Sequence, residues 1–142
     1  MFKISTRGQY ALLIMSYLAG ANPEKYVSLK TLAIQHKLSP KYLEQIMIQL
    51  SKAGLVSALR GTNGGYKLIR KPENYTAGEI LRVLEGDLSP KISIENLEEN
   101  KGIKKFWDDF EQSTNQYVDS VTLEDIAQND NSYSEADYIY YI

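Results

Sequence analysis

Apolar residues recur along this chain with two different periods, and the change between them marks its organisation. Tyr10, Ala11, Ile14, Met15 and Leu18 fall at helical spacing, with Ser5 or Thr6 able to cap the start and Gly20 near the end. A loop with Asn22-Pro23 follows, and Ser28 then caps a second helix whose buried face is Leu29, Leu32 and Ala33 and which Leu38 ends. Ser39-Pro40 is a cap with proline at the first helical position, opening a third helix to Ala53-Gly54. Leu43, Ile46, Met47 and Leu50 make its apolar face and leave Lys41, Tyr42, Gln45 and Gln49 outward, although Tyr42 fits an inward position equally well. The period then shortens. Two runs of Leu, Val, Tyr and Ile in residues 55–69 flank Arg60-Gly61-Thr62-Asn63-Gly64-Gly65, and Asn-Gly-Gly readily supplies the positive φ of a tight reversal. A helix–turn–helix running straight into a β-hairpin is a winged helix–turn–helix.

Beyond Lys71-Pro72-Glu73-Asn74 the pattern is helical again. Thr76 caps a helix carrying Ile80, Leu81, Val83 and Leu84, closed by Gly86, and Asp87–Gly102, with Pro90 and several acids, reads as a connector. Ile103, Phe106, Trp107, Phe110, Tyr117 and Val121 then form an aromatic stripe along a long helix. Such a stripe either folds back on its own domain or pairs with the same helix of a second copy, and pairing is the stronger reading. Thr122 caps a short helix over Leu123–Gln128, and the polar tail ends Tyr140-Tyr141-Ile142, an apolar terminus that suits docking in the dimer or holding a partner. The fold class is therefore mainly α with a small β-hairpin. The expected divisions are a winged helix–turn–helix domain at 1–86, a connector at 87–102, and a dimerisation helix with tail at 103–142.

Composition narrows the function. A hydrophobic fraction of 43% over 142 residues supports a packed core and argues against disorder. The apolar runs are too short to span a membrane and no signal segment opens the chain, so a cytoplasmic protein is expected. The absence of cysteine removes disulfides, thiolate catalysis and cysteine-ligated iron–sulfur clusters. The net charge of −2 hides an asymmetry: residues 1–85 carry twelve Lys and Arg against five acids, a net of +7, and residues 86–142 four against thirteen, a net of −9. A basic front on an acidic protein is the footprint of a polyanion-binding module, chance clustering being the plain alternative.

The candidate interface has three parts. Lys3, Ser5, Thr6, Arg7 and Tyr10 surround a helix N-terminus, where free N–H groups and positive charge favour a phosphate; an ordinary cap with solvated charges is the alternative. Ser39, Lys41, Tyr42 and Gln45 sit at the start of the third helix, in reach of phosphates and base edges of double-stranded DNA. Arg60, at the hairpin tip with Gly61, Asn63, Gly64 and Gly65, stands next to glycines that allow close approach of a nucleic-acid backbone, and suits a narrow minor groove or a phosphate pair. The glycine-rich tip lies between strands and lacks a Gly-Lys-Ser/Thr ending, which disfavours a nucleotide loop. Catalysis is disfavoured because His36, the single histidine, has no metal-ligand or nucleophile constellation near it in the pattern, and Asp108, Asp109 and Glu111 fall on a solvated face. A winged helix that has lost DNA binding and serves only protein contacts is a further class, against which the Arg, Lys and glycines of the wing stand.

Several runs carry a likeness in order and spacing over roughly the first 86 residues. They are Lys3-Ile-Ser-Thr-Arg-Gly-Gln-Tyr10-Ala-Leu12, Leu38-Ser39-Pro-Lys-Tyr-Leu-Glu-Gln45, Leu50 to Val56, Arg60-Gly61, Gly64-Gly65-Tyr66-Lys67-Leu68, and Ile80 with Val83-Leu84-Glu85-Gly86. In these the chain resembles the Rrf-two family of bacterial winged-helix transcription regulators. The resemblance implies a homodimeric repressor or activator whose recognition helices enter major grooves, whose wings enter minor grooves, and whose long C-terminal helix crosses to the partner subunit. Many members hold an iron–sulfur cluster on three cysteines in the loop matching Asp87–Gly102; here there are none, so no cofactor is expected. The chain looks most like the cluster-free, CymR-like regulators of cysteine metabolism, partly through its Tyr-Ile ending. Those are understood to signal with cysteine synthase (CysK), an enzyme that serine acetyltransferase engages through a C-terminal Ile. The resemblance therefore implies Tyr140, Tyr141 and Ile142 as a partner-binding segment, with an inert docked tail as the alternative.

Overall fold

The computed structural model describes residues 3–130. Its elements are α1 (Thr6–Ala19), α2 (Leu29–His36), α3 (Pro40–Lys52), β1 (Val56–Leu59), β2 (Gly65–Leu68), α4 (Ala77–Glu85) and α5 (Lys101–Ser120), then α6 at 123–130. The hydroxyls of Ser5, Ser28, Ser39 and Thr76 accept from Gly8, Thr31, Tyr42 and Glu79 N–H groups at the starts of α1 to α4. Each such cap satisfies an N–H that the helix leaves orphaned, a contribution of about 1 kcal/mol. At α6, Thr122 and Asp125 cap each other reciprocally. The turn from α2 to α3 is only Lys37, Leu38 and Ser39, made so tight because Lys37 is left-handed at φ 55° and Leu38 N–H returns to the Ala33 carbonyl.

The core gathers Ala11, Ile14, Met15 and Leu18 of α1, Leu32 of α2, and Leu43, Ile46, Met47 and Leu50 of α3. Tyr42 and Gln49 lie seven residues apart on the shoulder of the α3 stripe, so both are half-buried rather than outward. Tyr42 packs edge-on to Tyr10 with centroids 6.2 Å apart.

β1 and β2 pair antiparallel from Val56 opposite Leu68 to Leu59 opposite Gly65. Positive φ is supplied by Gly61 and Gly65, not Asn63, and the turn closes through Gly64 N–H to Gly61 O at 3.0 Å. A Cβ on Gly64 would stand 2.0 Å from Leu59 O, and one on Gly65 2.1 Å from Val27 O. Those glycines give up their side chains to the protein itself, letting Val27 exchange two backbone bonds with Tyr66 at 2.8 and 2.9 Å. Beneath the hairpin sits Tyr75, fully buried, a residue that the sequence pattern passes over inside a proline-broken stretch. Its hydroxyl donates to Leu55 O at 2.7 Å and accepts from Ile69 and Arg70 N–H, both at 3.0 Å.

α5 lies against α4 with its polar side. Arg82 forks onto Asp119 at 2.6 and 3.0 Å and reaches Asn115 at 2.6 Å. The aromatic side is left in solvent, with Ile103 50%, Phe106 56%, Phe110 37% and Tyr117 69% exposed, and Trp107 half-covered by its ring contacts to Phe106 and Phe110. Val121, half-buried at the end of the stripe, is tied to α4 through its backbone: its carbonyl accepts from Ala77 N–H at 2.9 Å. α6 then returns to the N-terminal unit, where Leu123 is fully buried in the core and its N–H donates to Tyr75 O at 3.0 Å. Among the described residues no helix is long and apolar enough to cross a membrane. Tyr140, Tyr141 and Ile142 lie outside the described residues.

Replacing Tyr75 with Phe strips one carbonyl and two N–H groups of their partner, and should cost about 1–3 kcal/mol in urea unfolding with the m-value unchanged. The Arg82 bond holds the Asp119 carboxyl below its usual range. A depressed carboxylate contributes stability that is complete above the unfolded-state pKa of about 3.8 and is lost as pH falls through the lower folded value. Trp107 emission followed through an acid titration should therefore report loosening of α5 only below about pH 4, and Asp119→Asn should abolish that step.

Candidate nucleic-acid interface

α3 is the centre of a continuous surface that runs from the N-terminal end of α1 to the tip of the wing. Its first turn presents Ser39, Lys41 and Gln45 to solvent, because the core takes positions 43, 46, 47 and 50. On one side, Arg7 of α1 donates to Gln45 Oε1 at 2.6 Å, and its guanidinium lies 5.9 Å from the centroid of the Tyr42 ring. On the other side, an open groove of about 610 Å3, lined among others by Lys30, Glu44, Ile48, Lys52, Arg60 and Tyr66, separates α3 from the wing. Arg60, Gly61 and Asn63 are all exposed at the tip.

The charges on this surface differ in kind from those elsewhere. Arg70 is paired to Glu79, Arg82 to Asp119, Lys104 to Asp108 and Lys105 to Asp109, at 2.6–2.8 Å. Lys3, Lys30, Lys41, Lys52 and Arg60 have no ion-pair partner among the described residues. Neighbouring carboxylates raise the pKa of Arg70, Arg82, Lys104 and Lys105 through their hydrogen bonds first. The front cations are tied to no carboxylate, which leaves their charge available to an outside polyanion, with Glu44 the one acid lining the groove.

Two expectations need correction. Ser5 does not offer its donors to a phosphate: its N–H gives to Glu85 Oε1 at 2.9 Å, and its hydroxyl gives to the same oxygen while capping Gly8. The positive end of α1 thus holds an internal carboxylate, against which Gly8 packs so tightly that a Cβ would come within 2.3 Å of Oε1. A signal for this was present, since an acid at the C-terminal end of α4 is disfavoured by that helix's own dipole and so serves another element. Gly64 and Gly65, likewise, make room for Leu59 and Val27 rather than for a nucleic-acid backbone. Lys3, Thr6 and Arg7 stay exposed, Tyr10 is half-buried, and Lys41, Tyr42, Gln45 and Arg60 lie along the surface described. The sequence pattern assigns no role to Tyr75, Val27 or Glu85, which hold the interface in place. His36 ends α2 edge-on to Tyr17 at 5.3 Å, and burial lowers its pKa.

Comparison with known proteins agrees with this geometry. The family model Rrf2, described as "Iron-dependent Transcriptional regulator", matches residues 4–129. The HTH-type transcriptional regulator CymR of Bacillus subtilis (strain 168) is 44% identical over 140 residues, covering 99% of each chain. The solved structure of CymR, the global cysteine regulator of B. subtilis, has a TM-score of 0.81 at 44% identity over 91% of this chain and 98% of that one. IscR of T. potens has a TM-score of 0.72 at 40% identity, over 89% and 87%. The iron of the family description does not fit the residues present: the chain has no thiol, and no group of three or more His, Asp or Glu side chains among the described residues can hold a metal ion. With a family model spanning nearly the whole chain and a full-length relative at 44% identity, the chain belongs to the Rrf2 family of transcriptional regulators.

Proposed function

We propose that this protein is a homodimeric, sequence-specific DNA-binding repressor of genes of cysteine and sulfur metabolism, and that cysteine synthase is its signalling partner. The observation that carries the reading is the row of uncompensated cations, Lys41 to Arg60, along α3 and the wing. A solvated aromatic stripe on α5 complements it, because exposed Phe106 and Phe110 beside Trp107 make an apolar patch of the kind that a second subunit covers. The likeness to a protein described as a global cysteine regulator supports the choice of genes. In the proposed dimer the two α3 helices enter major grooves at half-sites about one helical turn (roughly 34 Å) apart, or a multiple of it.

The decisive experiment is a mobility shift on the gene's own upstream region, with an unrelated duplex as competitor; failure to bind any duplex at low salt rejects the reading. Arg60→Ala should relax specificity at one operator position by about 1–3 kcal/mol. Uniform weakening on every sequence, with a shallower salt dependence, would instead assign Arg60 to a phosphate. The double change Phe106→Glu and Phe110→Glu should halve the light-scattering mass and weaken operator binding by at least ~10-fold, through loss of bivalency. Deleting Tyr140, Tyr141 and Ile142 should abolish co-precipitation with cysteine synthase while leaving binding of DNA by the regulator alone unchanged.

A further inference from the structure

The exposed ends of α1 and α3 are tied by one side-chain bond, Arg7 Nη2 donating to Gln45 Oε1 at 2.6 Å. Arginine has five N–H donors and no acceptor, so the amide atom facing it is the oxygen. The bond has a built support: the Arg7 guanidinium lies 5.9 Å from the centroid of the Tyr42 ring, and Tyr42 meets Tyr10 edge-on at 6.2 Å. Both tyrosines pack against the core. Arg7 is thereby laid across a fixed aromatic surface with its fork aimed at residue 45.

An unrestrained glutamine amide offers a donor and an acceptor side by side, the arrangement that pairs with adenine N7 and N6 in the major groove. Here one of the two lone pairs of the acceptor half is taken by a charge-assisted bond, and the cation making it stands at the same edge. What remains is the Nε2 amide with two N–H groups, next to the unspent N–H groups of Arg7. That edge is made of donors. Guanine shows two acceptors, N7 and O6, whereas the adenine N6 amino group would bring a further donor up to an oxygen already bonded to a cation. We infer that Arg7 is a positioning residue which turns the Gln45 amide into a donor pair, so that this protein reads guanine rather than adenine at the base pair facing Gln45. The inference rests on the proposed DNA-binding reading and assigns the base class to one of its residues.

Selection of bound duplexes from a randomised pool, by the full chain and three variants, tests it. The unaltered chain should enrich guanine at one symmetric pair of positions by roughly 5- to 100-fold over adenine. Gln45→Ala should erase that preference and weaken binding to the guanine-bearing site toward the level of its adenine counterpart, with the phosphate-set salt slope unchanged. Arg7→Met keeps the apolar stem over Tyr42 but frees the amide oxygen, and should move the preference at the same positions from guanine to adenine. Gln45→Glu should keep the Arg7 contact but present a carboxylate, and should move the preference to cytosine. Arg7 is exposed, so an unchanged thermal midpoint for Arg7→Met is expected and excludes misfolding as the cause. Uniform weakening by Arg7→Met with the guanine preference intact would make Arg7 a phosphate contact and overturn the inference. Enrichment without guanine at any Gln45-dependent position would overturn it as well. Absence of binding to every duplex by the unaltered chain would instead reject the DNA-binding reading itself.

Discussion

The wing depends on one phenol group. The Tyr75 hydroxyl has one hydrogen and two lone pairs, and all three are used, on Leu55 O, Ile69 N–H and Arg70 N–H. The strand entering the hairpin and the one leaving it are thus clasped at the base by one side chain, whose ring is itself fully buried. Two four-residue strands in isolation would be marginal. The support extends outward: Arg70 lies over the Tyr75 ring at 4.6 Å and is held by both carboxylate oxygens of Glu79 at 2.9 and 2.7 Å. On the outer edge Val27 adds its pair of bonds to Tyr66. Arg60 therefore projects from a tip that is anchored on both sides, the condition under which a single side chain can discriminate between groove geometries.

The charge distribution acquires its meaning from pairing more than from counting. In α5, Lys104 and Lys105 each face an acid four residues on, at 2.8 and 2.6 Å. Exposed pairs of this kind add little to helix stability, but they cancel the far field of the cations involved. Along α3 and the wing Lys41, Lys52 and Arg60 enter no ion pair among the described residues, Glu44 being the one acid that lines the groove between helix and wing, and in the proposed complex these cations would release counterions from a duplex. The N-terminus of α1 is different again, since Glu85 neutralises it from within. One carboxylate thus offsets part of the charge that Lys3 and Arg7 bring to the start of α1, whereas Lys41, Lys52 and Arg60 on α3 and the wing have no bonded acid.

What the sequence makes legible here is local. The helices follow from apolar spacing and from hydroxyl caps, and Ser28, Ser39, Thr76 and Thr122 each act at the position where the pattern puts a start. The hairpin follows from a change of period and a glycine-rich reversal. The parts that are not legible join distant positions: Ser5 to Glu85 across 80 residues, Ser16 to Asp130 across 114, Tyr75 to Leu55 across 20. No periodicity marks such residues, because their roles are decided by which elements meet. Gly64 and Gly65 illustrate the ambiguity, for a glycine tolerates a close neighbour without saying whether that neighbour is a nucleic acid or the protein's own Val27. Tyr42 is the same problem in an aromatic, a shoulder position that spacing alone cannot assign to core or surface.

The long-range bonds also explain how a rear helix can set the geometry of a front surface. α5 is fastened to α4 by the fork of Arg82 on Asp119 and Asn115. The end of α4 is fastened to α1 by Glu85 on Ser5, and α1 to α3 by Arg7 on Gln45. A second route leads through Val121 and Leu123 to Ala77 and Tyr75, and so to the wing. Both routes bypass the stretch between α4 and α5, so the orientation of α5 is not left to a flexible tether. A tether would raise the effective concentration of two reading heads but would leave their spacing spread over many ångströms. In the dimer proposed above, direct packing would instead transmit the crossing angle of two α5 copies into a fixed separation of their α3 helices. In the proposed dimer, half-site spacing is then a property of the α5 pairing, and polar contacts such as Arg82–Asp119 matter less for their small stabilisation than for keeping that separation constant.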